Sequence, residues 1–394
     1  MAKNIAVGID IGTYQIKIVV VENARENGVD SFKVIGTGFA ESKGLRHGYI
    51  INSLDTTKSL GIAIAEAEKT SGVRIKKAFL SIGGIGVGSV ISQGSIIIPR
   101  ADSEIMEVDV KNVLSVAESE IPSNISINKK IIHTIPISYK IDGRVVLGQP
   151  IGMKGIKFEV KALFVTCLEH HLNDLIDTVE DLGIEVVNIM ASPLAGSMVT
   201  LNKTQKIAGC VLANIGSETV SIVVFENNIP LSLEVFPIGG TDITNDIALG
   251  LKIPIEEAET IKINSERAAE YPKKRLEEII LARLSDIFDL IESHLKKLGR
   301  SGLLPAGIIL TGGTSGVSTI EDLAKATLKL PSKIGSMSFI TNLKNCQIKD
   351  SSWSVAYGLC VWGLSRGAEI SFGVPTNTNK AKNKIISWFK QFLP

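Results

Sequence analysis

Two short runs in this chain carry the residue types that a phosphate-binding turn needs. Asp10-Ile11-Gly12-Thr13 lies between apolar runs at 5–9 and 16–21, and Asn214-Ile215-Gly216-Ser217 lies between apolar runs at 211–213 and 220–225. A phosphate takes backbone N–H donors at close range. Glycine leaves those donors uncovered, and a short hydroxyl side chain adds another. A strand-turn-strand hairpin of the type D-x-G-T can therefore wrap a β- or γ-phosphate, with its carboxylate, here Asp10, close enough to hold Mg2+ through water. One such turn is most often an ordinary β-hairpin. Two copies are a stronger signal, and the copies match beyond the turn. Aligning Asp10 with Asn214 places Gly12 on Gly216, Thr13 on Ser217, Lys17 on Ser221, Ile18 on Ile222, Val19 on Val223 and Glu22 on Glu226. Two further glycine turns fit the same chemistry. Leu310-Thr311-Gly312-Gly313-Thr314 follows a buried run, where backbone can approach an adenosine. Pro237-Ile238-Gly239-Gly240 precedes a helical pattern, whose first N–H groups can meet phosphate. Together the four turns point to a site for ATP with Mg2+.

These turns have to be positioned by larger elements. A repeat this widely spaced is not a solenoid, whose periods run about 20–50 residues, so it implies two homologous α/β lobes around a nucleotide cleft. A chain of 394 residues, 44% of them hydrophobic, can fill such a pair of lobes and is too long for one compact domain. Between the repeats, residues 78–82 and 90–98 read as strands around the glycine cluster at 83–88. Val110, Val113, Leu114, Ala117 and Ile121 fall at helical spacing, with Asp109 as the expected N-cap and Pro122 as the stop. Further strands are expected at 130–141, 145–147 and 158–166, which makes this segment a small inserted α+β subdomain. An amphipathic helix is expected over 168–182, closed by Gly183. In the second half, residues 244–299 read as helical, with Leu276, Ile279, Ile280, Leu284, Ile287 and Ile291 on one stripe.

Composition excludes several classes. Lys and Arg number 42 against 41 Asp and Glu, so there is no general basic field for nucleic acid. Cys167, Cys210, Cys346 and Cys360 have no CxxC spacing and read as reduced core thiols of a cytosolic protein. No secretory leader is expected at the N-terminus. No apolar run approaches the roughly 20 residues of a spanning helix, so membrane contact would be peripheral. The last residues offer such a contact. On a helical wheel at roughly 100° per residue, Ile385, Ile386, Trp388, Phe389, Phe392 and Leu393 share an arc of roughly 160°. Lys384, Ser387, Lys390 and Gln391 lie on the other side, and Lys382 is a misfit within the apolar arc. Such a helix lies in a membrane interface, and each lysine adds about 1 kcal/mol near anionic lipid. Docking of this helix on the protein's own body is the competing reading.

The order of the four turns is similar to that of the actin, heat-shock-chaperone and sugar-kinase superfamily, and within it the chain resembles the FtsA family of bacterial cell division over nearly its whole length. The telling stretches are residues 149–155, 163–167 and 237–248, together with Glu256, Ala258, Glu259 and Lys262, which match the family's purine-side helix. The resemblance implies a duplicated actin-like (ribonuclease H-like) fold. Subdomain 1A would take 1–82 and 163–196, with 1C inserted at 83–162. Subdomain 2A would take 197–243 and 305–372, and 2B would take 244–304. A linker at 373–380 would lead to a membrane-targeting helix at 381–394. It also implies self-association into filaments and attachment to the inner face of the cytoplasmic membrane at the septum. FtsZ, the tubulin-like ring protein, would bind through its C-terminal tail to 2B, and later division proteins would bind through 1C.

One departure stands out. The family's second phosphate loop typically reads D-I-G-G-G-T, whereas this chain has Asn214 for the aspartate and Glu218 for a glycine. Asn214 loses the charge that favours Mg2+, and Glu218 is expected to bring a carboxylate near the phosphates, so hydrolysis is expected to be slow or absent. The rival readings are a type IV pilus-assembly relative of the same fold, a sugar or acid kinase, and a chaperone ATPase. The kinase needs a carboxylate base and substrate pocket, and the chaperone needs a further substrate domain. His47, His133, His170, His171 and His294 are scattered and form no triad pattern, and the Lys273-Lys274-Arg275 group reads as a solvated helix face.

Overall fold

The apolar runs flanking each glycine turn pair as hairpins, and each hairpin grows into a sheet. In this computed structural model, which describes residues 5–26, 29–263, 270–317, 319–341, 343, 346–348 and 350–365, β1 (Ile5–Ile11) pairs antiparallel with β2 (Gln15–Glu26), and β3 (Val29–Glu41) adds to β2. A small hairpin of β4 (Leu45–Arg46) and β5 (Tyr49–Ile50) leads to α1 (Ser53–Ser71) and then to β6 (Lys77–Ile82), parallel to β1. Helix α1 starts where the Asn52 side chain accepts a hydrogen bond from the Asp55 N–H at 3.2 Å, and it stops at Gly72, whose φ of 67° is left-handed.

The insertion follows as β7 (Gly88–Ile97), α2 (Glu107–Ser119), β8 (Lys129–Ile141), β9 (Arg144–Val146) and β10 (Lys157–Leu168). It forms its own sheet, in the order β7-β10-β8-β9, with its own apolar core that includes Val113, Ala117, Phe158 and Phe164. Because β6 and β7 join different sheets, the glycine cluster at 83–88 is a passage between subdomains and not a hairpin turn. Asp109 is also not the N-cap of α2. The helix begins at Glu107 after Met106, and the Asp109 carboxylate reaches back to accept the Met106 N–H at 2.7 Å. The acid serves the same unsatisfied helix donors from the third helical position, where it also meets the Arg100 guanidinium.

The chain returns to the first lobe through α3 (Glu169–Glu180), β11 (Glu185–Ala191) and α4 (Ser192–Thr200). The second lobe then repeats the plan with β12 (Cys210–Ile215), β13 (Val220–Glu226) and β14 (Ile229–Phe236). Helices α5 (Gly240–Leu251), α6 (Ile255–Ile263) and α7 (Lys273–Lys297) follow, then β15 (Ile308–Thr311), α8 (Ile320–Leu328), β16 (Ser332–Ile334), β17 (Ile340–Thr341) and α9 (Ser354–Leu364). Among the described residues the sheets run β11-β6-β1-β2-β3-β17 and β16-β15-β12-β13-β14. Apart from β17, the two orders are the same, with the same parallel pairs on one side of the central strand and the same antiparallel pairs on the other. The expected duplicated α/β fold with an inserted α+β subdomain is the fold observed.

Two elements expected with the second lobe lie on the first. Strand β17 extends the first sheet beside β3, and α9 packs over β1 and β2 against α4. Helix α9 is apolar on nearly every side, with Val355, Ala356, Leu359, Cys360 and Trp362 all buried, so it needs cover all round and finds it between α4 and the sheet. The stripe read from sequence on α7 does face the second core: Leu276, Leu284, Ile287 and Ile291 are buried, with Ile279 and Ile280 at its margin. The linker at 373–380 and the helix at 381–394, including Lys384, Ile385, Ile386, Trp388, Phe389, Lys390, Phe392 and Leu393, lie outside the described residues.

Candidate functional site

Each glycine turn closes the hairpin at the centre of its lobe. In the first, Asp10 stands opposite Lys17 in the β1–β2 ladder; in the second, Asn214 stands opposite Ser221 in the β12–β13 ladder. The repeat seen in the residues is therefore also a repeat in hydrogen-bond register. The two turns face one cleft of about 460 Å³. Asp10, Gly12 and Thr13 line it from the first lobe, and Asn214, Gly216, Ser217, Gly240, Glu259, Lys262, Gly312, Gly313 and Thr314 line it from the second.

Gly239 is not part of the lining. It packs behind the second loop, where a Cβ would lie 2.5 Å from the Ser217 carbonyl oxygen. The helix it caps also differs from expectation. The Gly240 and Thr241 N–H groups donate to the Gly216 and Ser217 carbonyls at 2.9 and 2.7 Å, so these donors of α5 brace the second loop instead of facing a phosphate. The loop has taken them because its own carbonyls point at the helix end, where the dipole favours partial negative charge.

The third turn braces the same loop. Gly312 has a φ of 90°, and a Cβ there would meet the Ile215 carbonyl at 2.4 Å and Asn214 Oδ1 at 2.5 Å. The Thr314 hydroxyl donates to the Gly216 carbonyl at 3.1 Å. On the α6 wall, Lys262 Nζ lies 2.6 Å from Glu259 Oε2 and donates to Thr244 Oγ1 at 2.8 Å and to the Gly240 carbonyl at 3.0 Å. Glu259 and Lys262 thus tie α6 to α5 beside the cleft.

The first loop carries the charge. Asp10 Oδ1 accepts a hydrogen bond from Ser81 Oγ at 2.7 Å. Burial raises the Asp10 carboxyl above the usual aspartate range, against the lowering effects of Ser81 and Lys17. Lys17 donates to the Ser352 carbonyl at 3.2 Å, and its Nζ stands 5.8 Å from the Trp353 ring centre. Burial lowers its pKa, while Asp10 and Asp350 hold it up. Lys17 lines the cleft and was not among the residues singled out from sequence. The signal is a lysine within the apolar run at 16–21, in ladder register with the acid of the turn.

Glu218 corrects a further expectation. It is not among the cleft-lining residues. Its carboxylate accepts the backbone N–H of His47, and its carbonyl accepts from His47 Nδ1 at 3.2 Å. Its charge is turned toward the first lobe's β4–β5 corner and is met there by the His47 N–H. Two of the other histidines are buried in the fold. His133 is buried, accepts the Ala191 N–H at 3.0 Å and is pushed down to about 3 by burial. His171 donates from Nε2 to the Gly83 carbonyl at 3.0 Å. Cys167, Cys210 and Cys360 are buried free thiols, and Cys346 is partly buried.

A family profile described as "Cell division protein FtsA" matches residues 211–358, and one described as "SHS2 domain inserted in FTSA" matches residues 84–166, the inserted sheet. The cell division protein FtsA of Pseudomonas aeruginosa is 30% identical, with 92% of this chain and 90% of that protein covered. The chain belongs to the FtsA family. It is a cell-division protein, as the shared name of its relatives states. Solved structures share the fold. The PilM-PilN type IV pilus biogenesis complex superposes with a TM-score of 0.68 at 17% identity, covering 91% of this chain and 98% of that one. MreB 5 of Spiroplasma citri bound to AMPPNP superposes at 0.50 and 13% identity, covering 91% and 95%. Family membership favours neither the pilus-assembly reading nor the kinase reading. No described helix is long and apolar enough to cross a membrane.

Proposed function

We propose that this protein is an ATP-binding scaffold that assembles into actin-like filaments, tethers the FtsZ ring to the inner face of the cytoplasmic membrane and recruits later division proteins. The observation that carries the nucleotide part is the pair of hairpins in matching register across one cleft, with Asp10 and Lys17 on its first wall. The cleft fits the group. Gly12 and Gly312 leave no room for a Cβ in their turns, and Lys17 stands in the lining where phosphate charge would need an answer. Among the described residues no group of three or more His, Cys, Asp and Glu could hold a metal, so a cation would arrive with the nucleotide. Mg2+ would neutralise phosphate charge, and Asp10 would hold it through water. Asn214 provides no second carboxylate, so turnover is slow or absent, and nucleotide serves to set the state of the scaffold.

The membrane part rests on the apolar arc of Ile385, Ile386, Trp388, Phe389, Phe392 and Leu393 with Lys384 and Lys390 opposite. A helix this short binds anionic lipid reversibly, and a filament strengthens attachment by linking many copies. The FtsZ tail is assigned to residues 244–304 and the later division proteins to the inserted subdomain, both by family resemblance. The test is electron microscopy on a lipid monolayer with ATP, with and without FtsZ, using the full chain and a deletion of 381–394. Filaments that need the deleted segment, and that gather FtsZ, support the reading. Liposome co-sedimentation unaffected by the deletion overturns the membrane part. ATP turnover at about 1 s⁻¹ or faster, an ordinary enzymatic rate, overturns the scaffold part.

A further inference from the structure

The corner between β4 and β5 is held from two sides. His47 has a φ of 49° and Gly48 one of 85°, so the chain turns sharply there. On one side the His47 carbonyl accepts the Ile85 N–H at 3.3 Å, and a Cβ on Gly48 would lie 2.4 Å from Gly84 Cα, so the corner is pressed onto the glycine passage at 83–88. On the other side Glu218 takes both the His47 backbone N–H, with its carboxylate, and the Nδ1–H, with its carbonyl. Glu218 sits between Ser217 and Thr219, which both line the cleft, while Gly48, Gly83 and Gly84 line it from the first lobe. The contact therefore bridges the two lobes beside the phosphate turns.

We infer that Glu218 is a positioning residue that clasps the second phosphate loop to the first lobe and so sets how long a nucleotide stays in the cleft. The inference rests on the reading of the cleft as a nucleotide site. It gives this chain's unusual glutamate a holding role, opposite in sign to phosphate repulsion. A contact that spans the two lobes would have to break for them to part, so it acts on release more than on entry. It also joins the second loop to the passage that leads into the inserted subdomain.

The test is stopped-flow release of a fluorescent adenosine triphosphate analogue from the full-length protein. Glu218→Ala is expected to speed release about tenfold, the size of one charge-assisted hydrogen bond, with little change in association rate. Glu218→Gln keeps an acceptor oxygen and is expected to restore most of the slow release. Unchanged or slower release in Glu218→Ala overturns the clasp, and slower release would mean repulsion. If the unaltered protein takes up no analogue, the nucleotide reading itself fails. Hydrogen exchange at the His47 amide then decides the clasp: loss of protection in Glu218→Ala supports it, and unchanged protection overturns it.

Discussion

The two glycine hairpins are built alike and charged differently. Both are antiparallel ladders at the centre of a sheet with the same strand order, and both present a glycine and a hydroxyl to the cleft. The first pairs a carboxylate with an ammonium, Asp10 with Lys17, and the second pairs an amide with a hydroxyl, Asn214 with Ser221. The difference extends to their support. The second loop is braced by the α5 N-terminus, by Gly312 and Thr314, and by His47 of the other lobe. The two copies share the shape of the turn and differ in what they carry: a carboxylate opposite an ammonium in the first, and contacts to α5, to the Gly312 turn and to the other lobe in the second.

The largest expected effect comes from the bracing. Gly312→Ala places a Cβ against the Ile215 carbonyl at a left-handed φ, and a loss on the order of 3 kcal/mol is expected. Gly12→Ala brings a Cβ to 2.8 Å from the Gln15 carbonyl oxygen but without a left-handed φ, and should cost less than Gly312→Ala. Chemical denaturation of the two variants reads the difference, and equal losses would mean that the loops are equally braced. Exchanging the acids comes next. Asp10→Asn makes the first loop like the second and should weaken Mg-dependent ATP binding about a hundredfold, or roughly 3 kcal/mol. Asn214→Asp should steepen Mg dependence instead. Calorimetric titration with and without Mg2+ tests both, and equal responses would remove the division of charge.

A smaller effect concerns pH. Burial raises Asp10 from 3.8 and lowers Lys17 from 10.5. On acidification Asp10 takes up its proton earlier than an ordinary aspartate, and on alkalinisation Lys17 gives one up earlier than an ordinary lysine. Nucleotide affinity should fall on both sides, within a narrower window than those ordinary values set. Asp10→Asn should remove the acid limb, and Ser221→Ala should leave both limbs in place. The smallest effect lies away from the loops. Arg283 grips Asp246 with bonds of 2.7 and 3.0 Å and ties α7 to α5, and Arg283→Lys should cost under about 1 kcal/mol without altering nucleotide affinity.

The sequence by itself determined the duplication, the paired glycine hairpins and the inserted subdomain. These are local: a glycine, a hydroxyl and two flanking apolar runs specify a hairpin without reference to the rest of the chain, and strand and helix periods mark the insertion between its copies. It also carried the family, through the order of the turns and the spacing around Glu259 and Lys262. Only the tertiary structure decided which donors were spent and which charges were turned away. Gly240 and Thr241 look free in sequence because nothing local says that the Gly216 and Ser217 carbonyls will reach them. Glu218 looks like a charge among phosphates because its partner, His47, is remote in the chain. Helix α9 and strand β17 look like parts of the second lobe because they follow it, yet they complete the first, where an all-apolar helix finds cover. In each case the deciding contact joins residues far apart in sequence, and a local pattern has no means of recording it.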